Sequence, residues 1–254
     1  TRLDSGYYTE PAPDRVLLAT DAAAILDGYT PLRMLTRAAT GAALPDAVRA
    51  DVAHAAWTRA VLLGDAGPAL QLAPIIGSLT PDLADDMAAY AAETDDARRA
   101  FLGVVTMLRN PGFTPQMHAG LYARRLPDYG QHGDNWWAVR RARRDPQGAL
   151  RQVSGPDGIP VFLAEDDVAD ADAEAAALIE IGHCANYLCG AATRWVKRHR
   201  RDPLAAEALY LAVRATGYVW SNEETGRLSK AAHALLHKRY GDTEWAEKTP
   251  YWYD

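Results

Sequence analysis

Apolar residues recur at three- and four-residue steps through most of this chain, the period of a helix with one buried face. After an extended arm containing Tyr7, Tyr8, Pro11 and Pro13, residues 14–27 form an apolar, Ala-rich run stopped by Gly28. Thr30-Pro31 reads as an N-cap followed by Pro at the first helical position, opening a short helix to Gly41. Pro45-Asp46 opens a longer one, in which Val48, Val52, Ala55, Ala56, Arg59 and Leu62 share a face and Gly64 and Gly67 close it. Pro68 starts another, to Gly77. Thr80-Pro81-Asp82 begins a helix over 81–94, and Asp95 caps the next, whose apolar face is Phe101, Val104, Val105 and Leu108. Pro111-Gly112 ends it.

Over residues 111–166 the period is lost while Pro and Gly recur, and Asp134-Asn135-Trp136-Trp137 forms the densest aromatic feature of the chain. Val161-Phe162-Leu163 reads as a short strand or an extended packing segment. A long helix is then predicted from Asp167, with Leu178, Ile181, Ala185, Leu188, Ala192 and Trp195 as its seam. Pro203 opens a helix to Tyr218, Thr225 or Gly226 precedes one carrying Leu228, Ala232, Leu235, Leu236 and Tyr240, and Thr243 starts a last short one before Pro250.

The expected fold class is all-α: antiparallel helix hairpins stacked as an α-solenoid, with an irregular Pro/Gly-rich middle. The expected division is a helical array over 1–110, a Trp-containing connector over 111–166, and C-terminal helical hairpins over 167–254. Abundant Ala and scarce Val, Ile and Thr runs agree with helices over sheet.

Charge alters the picture in one respect. A formal net charge of −6 argues against nucleic acid as the main partner, because phosphate binding needs a concentrated positive field. Two basic clusters run against it, Arg140, Arg141, Arg143, Arg144 and Lys197, Arg198, Arg200, Arg201; both read as solvated helix ends, where cations are favoured. No stretch approaches the roughly 20 apolar residues of a membrane span. The chain opens on Thr1, which fits removal of a signal segment and fits a trimmed chain equally.

Within 202–252 one helix carries Glu207-Ala208-Leu209-Tyr210; the next carries Ala232, Leu236 and Arg239-Tyr240-Gly241-Asp242-Thr243-Glu244-Trp245-Ala246. On these stretches the segment resembles the tetratricopeptide-like repeats of bacterial envelope proteins, with Gly241 and Thr243 where Pro and Ser are usual. The resemblance implies that the C-terminal hairpins over 167–254 are TPR-like and the stack a TPR-like α-solenoid. The whole chain is also similar to a group of bacterial proteins that carry Asp-Asn-Trp-Trp before a helical tail and bring no established activity. Cysteines found in that group correspond to Ala138 and Trp220 here, so that disulfide is absent. The resemblance implies a periplasmic or otherwise exported location; the alternative is cytoplasmic.

Candidate chemistry is sparse. His233 and His237 are four apart on one face, as zinc-binding pairs are, but HExxH needs Glu where Ala234 stands. Glu180 and His183 form one ExxH with no second copy. Cys184 and Cys189, five apart in a helix, are too distant for a disulfide and read as small buried thiols. Neither a G-x-S-x-G nor a Gly-rich phosphate loop occurs. No catalytic residue, metal or cofactor is therefore expected. Trp136 and Trp137, with Asp134 and Asn135, either plug the two helical halves together or expose an indole as an anchor; they are the candidate protein-binding residues.

The function expected is a non-catalytic helical-repeat scaffold binding a protein partner, as a subunit of an envelope assembly. The alternative is a glycan- or cell-wall-acting enzyme with its site in 111–166, near Asp128 and Asp134. A structural subunit of a filament or membrane complex is a third reading.

Overall fold

The computed structural model describes residues 20–117, 132, 163–217 and 222–253. These residues form helices joined by short links, with no β-strand among them. The all-α expectation therefore holds. Asp128, Asp134, Asn135, Trp136, Trp137 and the Arg140–Arg144 cluster lie outside the described residues.

The N-terminal helices follow the local signals closely. Helix α1 (Thr20–Gly28) and α2 (Leu32–Thr40) precede α3 (Asp46–Leu63), which Gly64 ends in the left-handed region at φ 73°. Then come α4 (Ala66–Leu79), a 3-10 turn (Pro81–Leu83), α5 (Ala84–Ala92) and α6 (Asp96–Arg109). The Asp95 carboxylate accepts from Arg98 N at 2.7 Å, the N-cap its type and position predict.

Thr30 and Thr80 depart from prediction. Thr30 donates its hydroxyl to Ile25 O, and the first N–H of α2, Leu32 N, is instead held by both Glu174 oxygens at 2.8 and 2.9 Å. Thr80 Oγ1 lies 3.0 Å from His54 Nε2, a tertiary contact rather than a cap.

In the C-terminal part, α7 (Glu165–Ile181) and α8 (Cys184–Arg198) replace the single long helix predicted from Asp167. Gly182 breaks it, at φ 84° and ψ −145°, a conformation close to glycine-only. Glu180 and His183 thus lie on either side of a break, and the ExxH has no common helical face. The remaining helices are α9 (Ala205–Ala215), α10 (Glu223–Tyr240) and the single turn α11 (Glu244–Glu247). Asn222 caps α10 by accepting from Thr225 N, while Thr225 Oγ1 accepts from Asn222 N.

Neighbours in sequence pack on one another from α2 to α6 and from α8 to α11, and α2–α4 and α8–α10 add next-but-one contacts. Helix α6 joins the two groups by packing on α3, α8 and α9. Its residues 101–108 are all buried, so the predicted single stripe is exceeded on every side. One hydrophobic cluster accordingly runs from Ala23 to Ala246.

Two polar cross-links reinforce this packing. Arg59, on the predicted inner face of α3, is 2% exposed and donates to Pro115 O, Thr30 O and the Asp27 carboxylate. Burial pushes the Arg59 guanidinium down from its ordinary value, opposed by Asp27 and then Glu174. Arg109 in α6 grips both Glu207 oxygens at 2.7 Å and also reaches Asp86, tying α6 to α5 and α9. The repeat-like segment gains two contacts here: Glu207 serves that clamp, and Tyr210 meets Trp245 at 5.2 Å between ring centroids.

Candidate binding cleft

The link between α8 and α9, residues 199–204, faces the start of α6 across an open cleft of about 660 Å³. Its geometry begins with Asp202, whose side chain is 4% exposed. One Asp202 oxygen accepts from Trp195 Nε1 at 3.1 Å and from Arg98 Nε at 3.3 Å; the other accepts from Leu204 N at 3.0 Å. A single carboxylate thus fixes the indole of α8, a guanidinium of α6 and the entry to α9.

Trp195 stacks with two rings, Phe101 at 5.0 Å and 12° and His199 at 3.7 Å and 11°. The stack runs from the buried Phe101 of α6 to an exposed imidazole at the cleft. Arg98 is equally constrained, because Glu93 accepts from its other arm. Its guanidinium is raised above the ordinary value, first by the Glu93 hydrogen bond, with a smaller share from Asp202. Glu93 is lowered in turn, chiefly by the Asp95 N–H and then by Arg98.

Arg198, Arg200 and Arg201 line this cleft and Lys197 lies beside them, all exposed. Sequence reasoning placed the four at a helix end, and α8 does finish at Arg198. Lys197 and Arg198 lie in its last turn, solvated as the sequence predicts, and donors from elsewhere cover nearby carbonyls. Arg239 Nη1 donates to Val196 O at 3.0 Å, and Tyr240 Oη donates to Arg200 O at 2.9 Å. Both donors come from α10. Lys197, Arg198, Arg200 and Arg201 make no ion pair among the described residues, whereas Arg33, Arg49, Arg59, Arg98, Arg99 and Arg109 each reach a carboxylate.

A second exposed feature closes the chain. Tyr251 and Trp252 are the exposed large hydrophobics among the described residues, at 60% and 37%. Lys230 Nζ lies 5.3 Å from the Trp252 ring and His233 packs edge-on against it at 5.2 Å. His233 and His237 do lie side by side, 4.2 Å between centroids, but His237 Nε2 is 2.8 Å from Thr249 O and so serves the chain's own tail. No cluster of three or more His, Cys, Asp or Glu side chains suited to a metal occurs among the described residues. Cys184 and Cys189 are buried thiols not joined in a disulfide; burial pushes the Cys189 thiol up to about 12, which leaves it protonated and inert at neutral pH.

The Asp202 node was missed in the sequence. Its visible signal was Asp202-Pro203, which announces a helix start but not a tryptophan seven residues earlier or an arginine more than a hundred residues away. Comparison with family models, with curated proteins and with solved structures finds no match. No helix among the described residues is long and apolar enough to cross a membrane.

Proposed function

We propose that this chain is a non-catalytic helical scaffold that binds another protein. The observation that carries the reading is the cleft at the meeting of α6, α8 and α9. A frame there holds exposed arginines that form no ion pair among the described residues. Exposed loop side chains on a packed scaffold are where binding residues concentrate. Arginine is enriched at the anchors of protein interfaces.

Within this reading, α9, α10 and α11 form a TPR-like hairpin with its following turn, supported by the Tyr210–Trp245 contact between the two motif stretches. Stacked hairpins present extended concave surfaces for partners. The envelope assembly that the resemblance implies belongs to the same proposal.

Crosslinking of the tagged chain in its native host, followed by mass spectrometry, tests it. A reproducible crosslinked protein, with crosslinks mapping to the described helices, is expected. A chain that stays monomeric and uncrosslinked under growth conditions where it is abundant defeats the reading.

A further inference from the structure

We infer that the α8–α9 loop cleft takes an acidic peptide segment of the partner, a short run rich in Asp and Glu. The inference rests on the protein-binding reading and names the chemistry of its ligand.

Charge complementarity carries it. In a chain with 33 acidic and 27 basic residues, Arg33, Arg59 and Arg109 each find an intramolecular carboxylate. Among the described residues the loop cations form no ion pair and stand exposed. The two carboxylates that line the cleft are already engaged: Asp202 by Trp195, Arg98 and Leu204, and Asp95 by the first turn of α6. The carbonyls that would repel an anion at the end of α8 are covered at Val196 and Arg200 by Arg239 and Tyr240. What faces solvent is therefore a short cationic edge on a clamped backbone, with the His199 ring beside it.

Guanidinium groups suit carboxylates, which they bind through two parallel hydrogen bonds. A volume of about 660 Å³ lies within the range of ligand sites, about 300–1,000 Å³. Its open form admits a chain that continues at both ends. A phosphodiester polymer fits less well, because it needs a broad positive field and this surface is acidic overall.

The test uses fluorescence anisotropy of the full chain with labelled hexaglutamate, hexaglutamine and hexathymidylate. Hexaglutamate is expected to bind, more weakly as salt rises, while hexaglutamine does not. Combined Arg198→Glu, Arg200→Glu and Arg201→Glu should weaken that binding about tenfold or more while the variant still melts in one cooperative step. The same reversal at Arg140, Arg141, Arg143 and Arg144 should leave it intact. Equal binding of hexathymidylate, no binding of hexaglutamate, or indifference to the loop reversal overturns the inference. The two proposals also separate. A host protein crosslinked equally by the wild type and the loop variant keeps the scaffold reading and removes this one. Hexaglutamate binding without any host partner does the opposite.

Discussion

At the scale of single residues, the costly groups are those that the fold has removed from water. Arg59 and Asp27 are 2% and 5% exposed, and the Asp27 carboxylate also accepts from Met117 N at 2.8 Å. Arg59→Met leaves that carboxylate buried without its cation, a loss of about 3–5 kcal/mol. Urea denaturation should show it, and adding Asp27→Asn should recover part of the loss; a cost under about 1 kcal/mol would mean that the pair is not buried as described. His132 makes a separate prediction. Burial lowers its imidazole to about 4 from an ordinary 6.5. The native state therefore keeps it neutral where the unfolded chain takes up a proton. Its contribution is fully present above pH 6.5 and is lost as pH falls towards 4, about 3 kcal/mol in all. Denaturation midpoints across that window should fall, and His132→Gln should flatten the fall.

At the scale of elements, the Gly182 break is the departure with the clearest physical cost. A Cβ there would meet nothing within 4 Å, so any penalty for Gly182→Ala comes from the backbone alone. We expect about 1–3 kcal/mol of destabilisation. Gly28, equally uncrowded but without a positive φ, should respond the other way, with Gly28→Ala gaining about 0.4–1 kcal/mol. Equal thermal shifts for the two variants would sink this account. The break was invisible in sequence because Leu178, Ala185, Leu188 and Ala192 all enter the same core, so the apolar rhythm continues across the interruption. A start marked by an adjacent residue was legible at Asp95, because the cap and its helix are local, while Thr243 marks the start of α11 by position alone, its hydroxyl donating to Tyr240 O. The N-terminus of α2 was not, since Glu174 caps it from 142 residues away. The cleft divides in the same manner. Its cations were plain as a charge run, whereas Asp202, the Trp195 stack and the Arg239 and Tyr240 contacts depend on folding.

At the scale of the molecule, α6 decides whether the two helical groups behave as one body. It packs on α3 in the first group and on α8 and α9 in the second, and Gly103 makes the first approach close. A Cβ on Gly103 would sit 2.8 Å from Val61 Cγ1. Arg109 adds the polar counterpart, with Asp86 on one side and Glu207 on the other. With a shared core from Ala23 to Ala246, α3 and α9 should lose structure at one urea concentration, since neither can expose its face without opening the common cluster. Pulsed hydrogen exchange read by mass spectrometry resolves this peptide by peptide. Peptides from α3, α6 and α9 are expected to share one midpoint. Arg109→Met should lower that midpoint for all three together, with a stability loss of about 1–2 kcal/mol for a half-buried clamp. If α3 peptides shift and α9 peptides stay, α6 belongs to one group only, and the cleft between it and the α8–α9 loop would open independently of the core.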